Sequence, residues 1–159
     1  MVSTIFYGAA TTATCTLTTL AQAAGRECTA IVNTGSKALD YMCYIQLKTT
    51  TGTHASDLVC YAHFYGSPDA TNWDGPATGT DAAVTISTGM NLKGPVVINF
   101  GTSTTGLMSQ KHLIASVADV FRGVIPPHFG VVIENKTNLA LTATAADNVV
   151  IFYPISDTQ

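Results

Sequence analysis

Two stretches of strict alternation constrain this chain more than any other feature. Tyr41, Cys43, Ile45 and Leu47 alternate with Met42, Tyr44, Gln46 and Lys48, and Leu58, Cys60, Ala62 and Phe64 alternate with Val59, Tyr61, His63 and Tyr65. Successive side chains of a strand point to opposite faces, so an apolar period of two is what a half-buried strand requires. Thr49–Ser56, rich in Thr and carrying Gly52, reads as a hairpin loop between these strands. Further strands are expected at Ala82–Ser87, Val96–Phe100, Lys111–Val117, Gly130–Asn135, Leu139–Thr144 and Asn148–Tyr153. Turn residues separate them roughly every 8–12 residues, the spacing of a sandwich or barrel. Segments of helical period are almost missing, although Ser116–Arg122 can hold a helical turn. Pro126-Pro127 lacks backbone donors and belongs in a loop or at a sheet edge, while Val131-Val132-Ile133 reads as a central strand. The fold class is therefore all-β, a β-sandwich.

A chain of 159 residues fits one domain, and a domain of about 150 residues buries about 68–70% of its unfolded surface. Charged residues make up only 11% against 47% hydrophobic, where about 25% charged is usual. Thr, Ser, Asn and Gly must then supply the surface polarity, and such a surface resists association poorly. That points to life in an assembly. The net charge is −3 and the seven Lys and Arg are scattered singly, so the basic stripe of a nucleic-acid binder is missing. No run reaches the roughly 18 apolar residues of a membrane span.

Residues 1–24 carry no charged side chain and read as an extended N-terminal arm, with a short helical turn around Thr18–Ala24 stopped by Gly25. The domain proper is then 25–159. Ala21-Gln22-Ala23-Ala24 mimics a cleavage site, yet no Lys or Arg precedes Arg26 and Thr interrupts the apolar run. A secretory signal is not expected. Without one, Cys15, Cys28, Cys43 and Cys60 are expected as reduced thiols, Cys43 and Cys60 in the core.

Tests for chemistry return little. There is no Gly-x-Ser-x-Gly elbow. Cys60 and His63 are near in sequence, but odd spacing on a strand places them on opposite faces. Glu27 and Glu134 are the only Glu residues, and Asp40, Asp57, Asp69, Asp74, Asp81, Asp147 and Asp157 fall mostly at turns, where Asp bonds its own backbone. His54, His63, His112 and His128 share no ligand spacing, and the run Asp69 to Asp81 lacks the ligand pattern of an EF-hand. No catalytic residue, cofactor or metal is expected. Asn135-Lys136-Thr137 matches a glycosylation sequon. Trp73, the single tryptophan, sits in the polar loop Ser67–Asp81, where it either stacks on a ligand or folds back onto the sheet.

The order of several features carries a resemblance. Leu17–Arg26 holds Leu-x-x-Leu-Ala before Gly-Arg, a strand carries Leu39-Asp40-Tyr41, and a loop reads Thr78-Gly79-Thr80-Asp81-Ala82-Ala83. The end reads Val124-Ile125-Pro126-Pro127-His128-Phe129-Gly130-Val131-Val132-Ile133-Glu134-Asn135, then Leu139-Ala140-Leu141-Thr142-Ala143-Thr144. Over most of residues 15–153 this resembles small structural proteins of tailed bacteriophages, of the kind that decorate or cement heads. The four cysteines depart from that pattern. The resemblance implies a jelly-roll-like sandwich, often trimeric, that binds the major capsid protein and joins the virion in the host cytoplasm, with no nucleic acid or membrane partner. A tail, fibre or baseplate subunit is the near alternative; a secreted carbohydrate-binding module, stacking sugars on Trp73 and Tyr65, is the distant one. Interface residues are expected in the arm at Val2, Ile5, Phe6 and Tyr7, in the loop at Trp73 and Asp74, and at Pro126, Pro127, His128 and Phe129.

Overall fold

A computed structural model describes residues 4–35, 38–53, 59–87, 90–100 and 109–158. Val2, His54, Asp57 and Leu58 lie outside them. Two antiparallel sheets face each other. The first is ordered β1 (Thr4–Tyr7), β11 (Val149–Thr158), β5 (Asp40–Lys48), β9 (Ser109–Ser116), with β2 (Thr11–Thr12) also on β11. The second is ordered β7 (Ala82–Val84), β3 (Gly25–Glu27), β10 (His128–Asn135), β6 (Cys60–Ser67), β8 (Lys93–Ile98), with β4 (Ile31–Val32) also on β10. One helical turn, α1 (Val117–Val120), follows β9 and is capped by the Ser116 side chain.

The alternation that defines β5 and β6 is realised as burial. Tyr41, Cys43, Ile45 and Leu47 from one sheet meet Cys60, Ala62, Phe64, Phe129, Val131 and Ile133 from the other. Across the seam Phe129 packs on Tyr41 at 4.9 Å and edge-on against Phe152 at 5.4 Å between ring centroids. Such tilted pairs add about 0.5–1.5 kcal/mol beyond the area they bury. Val131-Val132-Ile133 does occupy a central strand, since β10 pairs with β3 and β4 on one side and β6 on the other.

Three local expectations give way. Thr49–Ser56 is not a hairpin loop, because β5 and β6 belong to different sheets and do not pair; residues 54–56 of it lie outside the described residues. Alternation reports one buried face and is silent about which strand pairs with which. Leu139–Thr144 forms no strand beyond an isolated bridge between Leu141 and Thr49. Scattered backbone bonds such as Thr142 N to Lys48 O are supplemented there by side-chain amides, Asn135 donating to Leu139 O and Asn148 to Thr142 O. Thr18–Ala24 makes two tight turns in place of a helical one, with Thr19 and Ala23 at φ 57 and 58.

The first 24 residues divide in two. Residues 4–12 stand outside the core, whereas Ala13, Leu17 and Leu20 are buried in it. Cys15 is disulfide-bonded to Cys28 rather than reduced. Asp81 completes the clasp, accepting from Thr16 N and Oγ1 and from Arg26 Nε. Partial burial pushes the Asp81 pKa up, but hydrogen bonds from Arg26 and Thr16 outweigh it and the net shift is downward. Cys43 and Cys60 are free and fully buried. Burial raises both thiols, that of Cys60 to about 12, so neither holds appreciable thiolate. A thiol reagent is therefore expected to find no reactive cysteine in the native oxidised protein and two after denaturation without reductant. Rapid native labelling would contradict this arrangement.

Candidate functional site

The site is built at one end of the second sheet, where the chain leaves β6 and enters β10. Asp69 organises the exit: its Oδ1 accepts from Thr71 N at 2.9 Å and Asn72 N at 2.8 Å, and its Oδ2 from Asn72 Nδ2 at 2.7 Å. These bonds, that from Asn72 N foremost, hold the Asp69 carboxyl well below the usual carboxylate range. Asp74 ties the loop back to β6, its N–H donating to Gly66 O and its Oδ2 accepting from Gly66 N, both at 3.0 Å. Asn91 Nδ2 donates to Asp74 Oδ1 at 2.8 Å, and Lys93 Nζ lies 3.7 Å from the same oxygen.

Beneath the loop Glu27, 1% exposed, accepts from Thr78 N at 2.9 Å and Gly79 N at 2.6 Å. A buried carboxylate persists only where hydrogen bonds replace water. This latch holds the loop down over Tyr65, whose hydroxyl donates to Cys28 O. Trp73 stands on that platform, edge-on to Tyr65 at 5.6 Å and to His128 at 6.2 Å between centroids. Gly79, at φ +78, lies so close to the indole that a Cβ would collide with it. The left-handed backbone and the close approach both require glycine.

The result is a groove of about 470 Å³ lined by Gly66, Ser67, Pro68, Asn72, Trp73, Asp74, Lys93, Val124, Ile125, Pro126 and Pro127. Pro126 closes it because Gly66 has no side chain: a Cβ there would stand 2.6 Å from Pro126 Cγ. Trp73, Asp74, Pro126 and Pro127, far apart in sequence, thus share one groove, with His128 beside Trp73. Phe129, expected at an interface, is a core residue with 0% exposure, because the next position on a strand faces the other way. Tyr65 is likewise 0% exposed and cannot stack on a ligand. Trp73 folds back onto Tyr65, one of the two placements weighed for it, and it also lines the groove. Lys93, Asn91 and Val124 carried no signal in the sequence, since only the tertiary fold brings them to the loop.

Ile5, Phe6 and Tyr7 belong to the other sheet. They are 68%, 42% and 68% exposed on β1, which pairs with Ile155–Thr158 of β11. Every residue of β1 is exposed.

Other constellations are accounted for locally. His63 Nε2 meets Glu134 Oε2 at 3.0 Å and Lys136 Nζ meets Glu134 Oε1 at 2.8 Å, while Cys60 lies in the core on the opposite face. The aspartates of the loop are spent on separate donors, and among the described residues no group of His, Cys, Asp and Glu is placed to hold a metal. Asn135 of the sequon is 0% exposed, so the folded domain cannot present it to a glycosyltransferase. Among the described residues no helix is long and apolar enough to cross a membrane.

No family model, curated protein or solved structure matches the chain.

Proposed function

We propose that this chain is a non-enzymatic structural protein of a bacteriophage virion, a decoration or cement subunit that binds the head lattice of the major capsid protein as a trimer. The observation that carries the reading is β1. Ile5, Phe6 and Tyr7 lie exposed on a strand without a single charged residue. Soluble proteins blunt edge strands with charge, proline or cover, so a bare apolar one is surface reserved for a partner. The low-charge composition points the same way.

The strand order supports it too. The chain passes from β2 in one sheet to β3 and β4 in the other, back to β5, across to β6, β7 and β8, then through β9, β10 and β11 in alternate sheets. We read this as the interleaved Greek keys of a jelly roll, an architecture common in viral capsids and lectins. Architecture alone does not assign function; the sequence resemblance to head decoration proteins supplies the rest. Assembly belongs to the host cytoplasm, where Cys15 and Cys28 meet reducing conditions, and the disulfide closes on the released particle.

Heads lacking this protein, isolated from the phage that encodes it, are expected to retain the added wild-type chain on sedimentation and to leave Phe6→Asp in the supernatant. Burying one such aromatic is worth about 2 kcal/mol, about thirtyfold in affinity. Equal retention of both proteins would remove β1 from the contact. Retention of neither would remove the head from the reading and favour a tail position.

A further inference from the structure

We propose that the groove between Trp73 and Pro126-Pro127 is a binding site for a neutral saccharide. The inference stands apart from lattice binding, since β1 and the groove lie on different sheets. A volume of about 470 Å³ falls within the roughly 300–1,000 Å³ of small-ligand sites. The lining mixes both kinds of surface that a sugar presents. Trp73, Val124, Ile125 and Pro126 contribute apolar groups, and Asn72, Asp74 and Lys93 polar ones. A pyranose presents C–H groups on its face and hydroxyls around its edge, and a tryptophan matches both with a broad ring and a polar N–H. Among the described residues no buried side-chain nitrogen or oxygen lacks a partner, so the groove is lined by groups already satisfied within the fold.

Charge selects the ligand class. Lys93 and Asp74 offset each other at 3.7 Å, which leaves neither a cationic cluster for phosphate or uronate nor a free carboxylate for a cation. Rigidity helps affinity. The Asp69 turn, the Gly66–Asp74 pairing and two prolines fix the walls before any ligand arrives, so little ordering entropy is lost on binding.

Trp73 is the only tryptophan, and tryptophan emission, excited selectively over the six tyrosines, therefore reports on this groove. The full-length protein is titrated with neutral oligomers of glucose, galactose, mannose and N-acetylglucosamine. A polyuronate and a polyproline peptide, the latter a class that also seats in aromatic-lined grooves, serve as comparators. A saturable response to at least one neutral oligosaccharide, insensitive to salt, is expected. Val124 lines the groove and, at 75% exposed, buries little surface on folding. Val124→Asp is expected to weaken that binding about tenfold or more at unchanged Tm. Asn72→Ala is expected to act in the same direction. Three outcomes would each overturn the proposal: no saturable response to any neutral sugar, a response undiminished in Val124→Asp, or a response to the polyuronate or peptide alone.

Discussion

Replacing Asn135 by alanine is expected to lower the stability of the domain by about 3 kcal/mol, or about 6–12 °C in Tm for a domain of this size. Asn135 is fully buried at the end of β10 and joins segments that the sheets do not hold. Its Nδ2 donates to Leu20 O at 3.0 Å and Leu139 O at 2.9 Å, and its Oδ1 accepts from Thr137 N at 3.0 Å and from Thr137 Oγ1 at 2.6 Å. The carbonyls keep other donors, since Leu141 N reaches Leu20 O and Thr137 Oγ1 reaches Leu139 O. The buried Thr137 N–H keeps none. An orphaned buried donor costs about 1–3 kcal/mol, and the cavity left by the amide adds to it. Thr144→Ala, at an exposed position nearby whose side chain caps nothing, should stay within about 0.5 kcal/mol of wild type. Urea denaturation of both variants decides the matter. A small effect at Asn135 would mean that the 136–148 segment is not held as described.

The second large effect is redox-dependent. Under oxidising conditions Cys15→Ser is expected to be about 3 kcal/mol less stable than wild type, because the bridge closes a loop across a sequence separation of 13. Cys15 is the better position to change, being only partly buried where Cys28 is completely so. Reductant should bring the wild-type protein down to the level of the variant and leave the variant unmoved. Equal stability of the two proteins without reductant would show that Cys15 and Cys28 do not pair.

The same clasp limits how the arm can be truncated. Deleting residues 2–19 looks harmless if the first 24 residues are a loose extension. In the fold that deletion removes Ala13, Leu17 and the disulfide together. A truncation meant to test docking must stop at Thr12.

Much of the architecture was legible because burial writes a period of two into β5 and the first half of β6, and a continuous apolar run into β10. The fully buried loop-facing residues were not, since Tyr65 and Val132 are apolar or aromatic on the outer face for a reason found elsewhere in the chain: the loop latched by Glu27 covers them. Pairing partners were also hidden. Nothing in β5 announces that its neighbours are β9 and β11, because any strand with one apolar face satisfies the same pattern. Leu17 and Leu20 went unrecognised as core because they follow neither period and are placed by turns at Thr19 and Ala23. In the groove, Trp73 and the proline pair stood out by residue type. Lys93 and Val124 did not, as neither type is unusual on a surface.

Assembly is the central claim, and the mass of the full-length protein in solution tests it most directly. Light scattering over a tenfold concentration range is expected to return about three times 16.6 kDa for the wild type and for Phe6→Asp alike, since β1 is assigned to the head contact. A constant monomer mass for both proteins would contradict the account.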